Sequence, residues 1–472
     1  MSPAIQPTVI VVGSGLAGLS AAYAALQSGA RVHLLDRSPK LGGNSIKASS
    51  GINGAGTPAQ EAAGVKDTQT QFYNDTARSG GARFKTASTI PGFDREALVT
   101  RLSTESADAV RWLSDEIGVD LSVVAQLGGH GVARTHRGKG KPPGASIVLT
   151  LLDRLKASDN FTLLSSADVT SLLQHDGAVT GVAYTQDDTE HTLAGRVVVA
   201  SGGFAGDASM LATYTPALAG LPSTNDPRPG SHALLTAVGA QLLDMDSVQI
   251  HPTGFVDPAT PGARLKFLAG EMLRGEGGIL LSPSGSRFVN ELDTRAAVSK
   301  AIMDAFPSVD EDGTRQWDIT LLLDPGAAAA AASHIGFYEW KGLLRKVKLA
   351  TLSPEVVASV QAYAAAVDAG STDPFSRPAY GHWKLKPDAE SLAQAEVYIG
   401  RITPVVHYTM GGAAIDTGGR VLRAAGGGVV PGLWAAGEVT GGVHGDNRLG
   451  GNSLLECVVF GLAAGNGAAR GD

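Results

Sequence analysis

The first forty residues carry the pattern that most restricts the fold of this chain. Residues 9–12 form a continuous β-branched run, which is typical of a strand buried on both faces of a parallel sheet. The glycine-rich residues 13–18 follow at once, and an alanine- and leucine-rich stretch to Gln27 predicts a helix. Arg31–Asp36 then predicts a second strand that ends in an acid. This order predicts a β-α-β unit that binds a dinucleotide pyrophosphate at the helix N-terminus.

The glycines of the first turn have separate physical tasks. Gly13 permits the tight turn, Gly15 lets the helix approach a pyrophosphate, and Gly18 lets helix and strand pack closely. Asp36 stands where a carboxylate accepts hydrogen bonds from a ribose diol. A lone GxGxxG says little, but the complete order of strand, helix, strand and acid favours a nucleotide site over an ordinary glycine-rich turn.

Further glycine-rich segments indicate FAD as the nucleotide. A second loop, residues 40–53, follows the acid and suits a cofactor that continues past its pyrophosphate. Strand patterns that end at Gly202-Gly203 and at Gly437-Glu438 resemble segments of glutathione-reductase-like flavoproteins, and no second GxGxxG in this context offers a nicotinamide site. Candidate FAD-binding residues in these segments are Gly43, Asn44, Ser45, Ser49, Gly51 and Gly203, and Ala17 in the first glycine turn is a further candidate.

The length of the chain and a change of character in its middle predict two domains. With 472 residues, the chain is too long for one compact core. Alternating strands and helices occupy residues 1–245, and the nucleotide-binding signals return at 407–472. We therefore expect an α/β, Rossmann-type FAD-binding domain of the glutathione-reductase-like class, interrupted by an α+β cap (clamp) domain at residues 246–406.

Local patterns add detail inside both predicted domains. Residues 161–201 predict antiparallel strands inserted into the nucleotide-binding domain, with a hairpin turn at residues 175–177. Residues 327–332 and 355–367 predict helices within the cap.

Composition excludes several classes of function. The single cysteine, Cys457, allows no internal disulfide and no cysteine-ligated iron–sulfur cluster, and no motif for c-type haem attachment or other metal site is present. A net charge of −7 without a basic block argues against nucleic acid. No apolar run approaches about 18 residues, and residues 1–8 lack the basic region of a signal peptide. We therefore expect a cytoplasmic protein without a membrane span, or a mitochondrial one if a targeting segment was removed.

The candidate catalytic residues fall in glycine-rich segments of otherwise low charge. These segments are residues 249–254, 271–278, 288–295, 407–412 and 447–454. Glu271 and Arg274 are three positions apart, so a helix would place them on one face, where they can pair. Each arginine or histidine alone has an ordinary structural explanation. Together they suit a dianion, because arginine offers a bidentate fork to a carboxylate and histidine adds a further donor.

These motifs together resemble those of the flavoprotein fumarate reductases, and most closely the soluble fungal type. The shared segments are GSGLAG, HPTGF (251–255), LAGEMLRGEGGILL (268–281), RFVNELDTR (287–295), HYTMGG (407–412) and NRLGGNSLLE (447–456). The resemblance covers nearly the whole chain. It implies that FAD delivers a hydride to fumarate, which is reduced to succinate.

The resemblance also implies a role for each candidate residue. Arg295 would be the acid that protonates the substrate, and Glu271 and Arg274 would be the relay that reprotonates it. The implied substrate ligands are His251, Thr253, His407 and Arg448, and the implied flavin contacts include Gly437, Glu438, Ser453 and Leu454. Reduced free flavin or a soluble redox protein would be the electron donor.

Two positions depart from the wider family. Residues 44–47 contain no histidine where the respiratory enzymes attach their flavin covalently, so we expect non-covalent FAD. Gly270 occupies the position of a threonine that helps some bacterial relatives to bind the substrate carboxylate. That second departure leaves the choice of substrate open.

Two alternative functions also remain open at this point. The first is a related FAD-dependent ene-reductase or dehydrogenase acting on urocanate, a steroid or an amino acid, although Arg448 and His407 favour a dicarboxylate and a steroid site would be expected to carry tyrosines. The second is a non-enzymatic flavin-binding protein. The set of Glu271, Arg274 and Arg295 argues against it, because flavin storage requires no proton relay.

Overall fold

The computed structural model describes residues 6–472 and is organised around a six-stranded sheet. Residues 1–5, which belong to the segment predicted to lack a signal peptide, lie outside the described residues. The strand order is Arg420–Leu422, Val429–Ala435, Arg196–Val199, Thr8–Val12, Arg31–Asp36 and Phe161–Ser165. All neighbours are parallel except the first pair. The apolar run at residues 9–12 is buried, as the central strand of a parallel sheet requires.

Two helices that are distant in sequence pack against each other beside this sheet. Leu16–Gln27 follows the glycine turn as predicted, and Asn452–Arg470 lies along it. The contact is close because the second helix presents glycines: a Cβ on Gly461 would lie 2.7 Å from the carbonyl oxygen of Ala17, and one on Gly465 would lie 2.1 Å from that of Ala21. The main chains of the first and last major helices are therefore in direct contact.

The second large sheet is antiparallel. Its strands are, in order, Phe267–Leu268, Val248–Phe255, Glu396–Thr409, Ile319–Leu323 and Ile279–Leu281, and Arg345–Lys348 also pairs with Glu396–Thr409. The adjacent strands Val248–Phe255 and Glu396–Thr409 contain His251 and His407, respectively. Two of the sequence motifs are thus neighbours in one sheet.

Shorter elements complete the fold. Small sheets are formed by Ile52–Asn53, Thr135–Arg137 and Val123–Ala125; by Asp168–His175, Ala178–Gln186 and Thr189–Ala194; by Leu242–Leu243 and Gly412–Ala413; and by Val309–Glu311 and Thr314–Gln316. The other helices are Pro58–Ala62, Gln69–Ser79, Arg95–Thr104, Ser106–Arg111, Pro143–Lys156, Ala208–Tyr214, His232–Ala237, Met272–Gly275, Arg295–Ala305, Pro325–Ala330, Ala332–Trp340, Pro354–Ala369 and Ala389–Gln394. Single turns occur at Ser45–Lys47, Gly81–Lys85, Trp112–Ile117, Pro216–Leu218 and Leu349–Thr351.

The prediction for residues 161–201 was partly wrong. The hairpin exists, since His175 pairs with Ala178 across the predicted turn. However, Phe161–Ser165 and Arg196–Val199 are parallel strands of the main sheet. The helix Pro143–Lys156 supplies the crossover that brings Phe161–Ser165 back parallel to its neighbour, and a short apolar run does not by itself reveal strand direction. Helices do begin at Pro325 and Pro354 near the two predicted helical stretches.

The buried apolar residues form separate cores. One core contains residues from Val9 to Leu243 and again from Ala413 to Ala469, whereas the two others contain residues between Ala205 and Val406. These cores support our proposal of a domain formed by residues 1–245 and 407–472 and a cap at 246–406. Within residues 6–472, no helix combines the length and apolar character needed to cross a membrane.

Candidate active site

A cavity of about 840 Å³ extends from the glycine turn after the first strand to a cluster of buried arginines. Most of the predicted cofactor residues border it: Gly13, Gly15, Ala17, Asp36, Gly43, Asn44, Ser45, Ser49, Gly51, Glu438, Ser453 and Leu454. His407, Arg448 and Arg295 border it as well. The remaining predicted residues, Gly18, Gly203, Gly437, His251, Thr253, Glu271 and Arg274, do not line the cavity.

Of the three glycines of the first turn, Gly13 and Gly18 allow close packing of main chains, and Gly15 faces the cavity. A Cβ on Gly18 would lie 1.9 Å from the carbonyl oxygen of Gly13, and a Cβ on Gly13 would lie 2.4 Å from that of Ala200. Both glycines therefore allow main chains to approach closely. A Cβ on Gly15 would instead meet only Ser45 Oγ, at 3.6 Å. Gly15 leaves room on the cavity side, where a bound pyrophosphate requires it.

Gly203 and Gly437 support the cavity wall from behind. A Cβ on Gly203 would lie 2.1 Å from Thr409 Oγ1 and 2.4 Å from Glu438 Oε1, and one on Gly437 would lie 2.8 Å from the Cβ of Ala17. Their lack of side chains thus lets Glu438 and Ala17 reach the cavity. Burial raises the pKa of Glu438 to about 7, although the Thr409 N–H donates to it at 2.9 Å.

Asp36 fixes the glycine turn from the end of the second strand. Its Oδ2 accepts hydrogen bonds from the N–H and the hydroxyl of Ser14, and its Oδ1 accepts from the Ser38 N–H at 2.8 Å. A carboxylate has about four acceptor positions, so capacity remains for a ribose hydroxyl at the cavity.

Two helices begin at the cavity without a capping side chain from their own N-cap residues, although Ser45 Oγ accepts the Leu16 N–H at 3.1 Å. Neither Leu16–Gln27 nor Asn452–Arg470 has an acidic residue in its first turn, and the partial positive charge of each N-terminus favours a ligand with negative charge or acceptor oxygens. Ser49 Oγ is buried in the wall without a hydrogen-bond partner. Together with Asp36 and Gly15, these features fit an FAD molecule.

The other end of the cavity is dominated by Arg295, the first residue of the helix Arg295–Ala305. Its Nε donates to Glu271 Oε2 at 2.6 Å, and its Nη2 lies 2.5 Å from the same oxygen. Its Nη1 donates to Gln249 Oε1 at 2.9 Å. Arg295 is 5% exposed and Glu271 is 1% exposed. The pair is therefore a buried ion pair that opens onto the cavity.

Glu271 is held as an anion. Burial would raise its pKa, but the charges of Arg295 and Arg274 outweigh burial and lower the pKa to about 2. Its second oxygen, Oε1, accepts the backbone N–H of Gly128 at 2.8 Å. A Cβ on Gly128 would lie 2.8 Å from that oxygen and 2.6 Å from the carbonyl oxygen of Asp293. Gly128, which sequence reasoning missed, thus fits closely against the carboxylate.

The predicted pairing of Glu271 with Arg274 was wrong. Arg274 Nη1 donates to the carbonyl oxygen of Glu291, and the Glu271 carboxylate bonds to Arg295 instead. Glu271, the N-cap residue of the helix Met272–Gly275, has helical backbone angles (φ −55°, ψ −29°), so the spacing does apply, but the two side chains take other partners. Burial lowers the pKa of Arg274 to about 10, partly offset by the nearby charge of Glu271.

Arg448 donates to the same amide oxygen as Arg295. Its Nη2 donates to Gln249 Oε1 at 3.0 Å, so this single amide oxygen accepts from both Arg448 and Arg295. Burial, followed by the charge of Arg295, lowers the pKa of Arg448 to about 10. Gln249 was not among the predicted site residues. A signal was available, because it lies two positions before His251 and residues two apart share a strand face.

The two histidines are neighbours beside these arginines. Their rings are 5.2 Å apart at 62°, and His407 Nδ1 forms a hydrogen bond of 2.8 Å with the hydroxyl of Thr224. His251 Nδ1 accepts the Thr253 N–H at 3.2 Å, which leaves its buried Nε2 as the protonated nitrogen without a partner. Burial, with Arg295 as the next cause, holds the pKa of both rings well below the usual value. Both are therefore neutral at pH 7.

Thr253 holds His251 and does not border the cavity. Its hydroxyl donates to the carbonyl oxygen of Ala269 at 2.9 Å, while its N–H binds the histidine. Among residues 6–472, no group of three or more His, Cys, Asp or Glu side chains could hold a metal ion.

The comparisons with known proteins agree with this geometry. Residues 8–454 match the family described as FAD binding domain. The chain is 39% identical to fumarate reductase of Schizosaccharomyces pombe, over 99% of this chain and 90% of that protein. It is also 39% identical to fumarate reductase 1 of Saccharomyces cerevisiae, over 98% of each. Its structure matches an open conformation of a flavocytochrome c3 fumarate reductase with a TM-score of 0.74 and 32% identity, over 99% of this chain and 79% of that one.

Proposed function

Since the chain belongs to the FAD-binding family that includes the fungal fumarate reductases, we propose that it reduces fumarate to succinate. The proposal depends on Arg295 and Arg448, which both border the cavity and donate to the same oxygen, Gln249 Oε1. One guanidinium is paired with a carboxylate and the other is not. A dianionic alkene placed here has a proton donor and a carboxylate ligand within the same site.

The cofactor is FAD, held by the glycine turn, Asp36, the loop at residues 43–51 and the start of the helix Asn452–Arg470. When bound, it supplies the hydride for the alkene. We propose that it is bound without a covalent link, because residues 44–47 contain no histidine. Acid precipitation of the holoenzyme should then release all of the yellow colour into the supernatant, and flavin retained in the pellet would refute the proposal.

Arg448 and His407 bind the substrate carboxylates. Both border the cavity, and Arg448 keeps N–H groups that no protein carboxylate occupies. His251, held in place by Thr253, supports His407 from behind. During reduction, negative charge develops on one alkene carbon and its carboxylate, and the fixed donors of Arg448 and His407 stabilise it.

Arg295 donates the proton to that carbon. Arginine is a very weak acid, with a pKa above about 12, so it can act only toward a strongly basic carbanion and must be reprotonated at once. The Glu271 carboxylate lies 2.5 Å from its Nη2, close enough to pass a replacement proton to the guanidine. Arg274, whose charge also acts on Glu271, completes the relay.

Gly270 leaves space beside Ser49, whose side chain lies in the cavity wall. A Cβ on Gly270 would lie 2.8 Å from Ser49 Oγ, the hydroxyl without a partner in the cavity wall. A larger residue at position 270 would press on this hydroxyl. Gly270 therefore leaves space for the Ser49 hydroxyl, which is available to the cofactor or the substrate.

For the electron donor, we propose reduced free flavin or a soluble redox protein. Leu265, Phe267 and Phe337 line the mouth of the cavity with exposed fractions of 41–44%, and Trp340 beside them is 75% exposed. Such a rim allows a planar donor to approach. We further propose a cytoplasmic location, or a mitochondrial one if a targeting segment is removed, which fractionation of cells that express the full gene would test.

The reaction itself is tested by reducing the bound FAD without oxygen and adding one acceptor at a time. Fumarate should restore the oxidised spectrum, with succinate as the product. A related ene-reductase would respond instead to urocanate or another unsaturated acid, and a non-enzymatic flavin-binding protein would respond to none.

A further inference from the structure

Arg448 is a buried cation without an ion-pair partner. It is 3% exposed, and within residues 6–472 no carboxylate oxygen lies within 4.0 Å of its guanidinium nitrogens. Its Nη2 bonds to Gln249, and its Nε has no partner. An unpaired charge inside a protein is costly, so something else must stabilise it.

The face of Tyr408 provides that support. The guanidinium carbon of Arg448 lies 4.1 Å from the centre of the Tyr408 ring, within the range in which a cation is attracted to an aromatic face. The hydroxyl of Tyr408 donates to Glu456 Oε2 at 2.5 Å. Burial, reinforced by the Glu456 charge, raises the pKa of Tyr408 well above its usual value, so the phenol remains a donor.

Glu456 is the anchor of this arrangement. Its Oε2 also bonds to His444 Nε2 at 2.9 Å, and its Oε1 accepts from the Thr440 hydroxyl at 3.4 Å. Glu456 is 1% exposed, and it lies in the helix Asn452–Arg470, whose first turn borders the cavity. Tyr408 belongs to the strand Glu396–Thr409 and directly follows His407. The contacts from Arg448 to Tyr408 and from Tyr408 to Glu456 therefore connect the antiparallel sheet with the helix Asn452–Arg470 behind the substrate site.

We propose that Tyr408 is a positioning residue for substrate binding, and that Glu456 compensates the charge of Arg448 through it. This inference rests on the proposed function. A direct ion pair would occupy the N–H groups that a substrate carboxylate needs. An aromatic face supports the guanidinium from one side and leaves the N–H groups at its edge free.

The test measures the binding of succinate to the FAD-loaded protein by equilibrium dialysis, which requires no turnover. Tyr408→Leu removes the ring and should weaken succinate binding at least tenfold, whereas Tyr408→Phe, which keeps the ring, should recover most of the affinity. Tyr398→Leu, on the same strand but without a contact to Arg448, is the matched control. In an Arg448→Ala background, Tyr408→Leu should have no further effect.

The role of Glu456 is tested through thermal unfolding. Glu456→Gln keeps the size of the side chain and removes its charge. Its Tm without succinate should be lower than that of the wild type, and succinate should raise its Tm by more, because the dianion replaces the lost charge. If succinate raises the Tm of Glu456→Gln by no more than it raises that of the wild type, Glu456 does not compensate the charge of Arg448. This measurement does not depend on Tyr408→Leu, so it remains usable if that variant does not fold.

The remaining outcomes distinguish a failure of the positioning role of Tyr408 from a failure of the proposed function. If the wild type binds succinate and Tyr408→Leu binds it equally well, the positioning role is wrong while the proposed function stands. The positioning role is also wrong if Tyr408→Leu weakens binding equally with and without Arg448. If the wild type binds neither succinate nor fumarate, the proposed function itself fails.

Discussion

The two arginines that meet at Gln249 are buried to a similar degree but are stabilised in different ways. Arg295 is bonded directly to the Glu271 carboxylate, whereas Arg448 stacks on a tyrosine ring whose hydroxyl is bonded to a carboxylate. The difference corresponds to their proposed tasks. A group that gives up a proton needs an adjacent base for its replacement, and a group that binds an anion needs N–H groups that no other anion occupies.

The largest effect is expected from Arg295→Ala. Loss of the proposed proton donor should lower the fumarate turnover by about 10³-fold, which is within the range of general acid catalysis. FAD content should be unchanged. The rate is measured with reduced methyl viologen, and Arg345→Ala, at an exposed strand position, is the control. Substantial turnover in Arg295→Ala would show that another group delivers the proton.

Glu271→Gln tests the direct pair through stability and its dependence on pH. The pKa of Glu271 is lowered to about 2 from an ordinary value of 4.5, so its contribution to stability is complete above pH 4.5 and is lost as the pH falls toward 2. The wild type should be more stable than the variant at pH 7 by about 3 kcal/mol, the cost typical of breaking a buried pair.

The difference in Tm between the wild type and Glu271→Gln should then narrow as the pH is lowered below 4.5. Calorimetry of both proteins at several pH values provides the measurement. A difference that stays constant down to pH 3 would mean that the carboxylate is not held as an anion by Arg295.

Arg448→Lys tests the proposed role of Arg448 in binding the substrate carboxylate. Lysine keeps the charge but loses the planar fork, so the KM for fumarate should rise about tenfold, as expected when a charged hydrogen bond is lost, with a smaller change in kcat. Arg295→Lys should show the reverse pattern, with kcat reduced more than KM. If both variants change the same kinetic constant, the division of tasks between the arginines is wrong.

The smallest effect is expected from Gly128→Ala. The added methyl group would press on Glu271 Oε1 and the carbonyl oxygen of Asp293, so the ion pair should shift and kcat should fall several-fold, with the KM for fumarate nearly constant. Gly336→Ala is the matched control, since a Cβ there meets nothing within 4 Å. Wild-type kcat in Gly128→Ala would show that the relay tolerates displacement of Glu271.

The sequence predicted most of the cofactor region and only part of the polar site. The turn at Gly13, the helix after it and the acid Asp36 were predicted correctly because their order is local and each step has a steric reason. The Glu271–Arg274 pair was wrong because both side chains bond to groups that are farther away in the sequence, Glu271 to Arg295 and Arg274 to the carbonyl oxygen of Glu291. Gly128 was missed because its N–H reaches Glu271 across 143 positions, and a backbone donor has no signature in a sequence.

The partners of Arg448 show a similar limit. Tyr408 and Glu456 both lie within motifs named in the sequence analysis, HYTMGG and NRLGGNSLLE, but an aromatic residue next to a histidine is commonly an ordinary core residue. Only the fold brings the end of the strand Glu396–Thr409 near the helix Asn452–Arg470, so that the two side chains meet. Long-range contacts of this kind depend on the complete fold and not on spacing along the chain.

The glycine contacts between the helices Leu16–Gln27 and Asn452–Arg470 have a consequence for biosynthesis. The cavity needs both helix N-termini, and the second helix is synthesised long after the first. Domains generally fold during synthesis from the N-terminal end, but here the first strand, first turn and first helix must wait for a partner about 440 residues later. The FAD site is therefore complete only after the helix Asn452–Arg470 has been synthesised, and a polypeptide interrupted before Asn452 has no complete place for the cofactor.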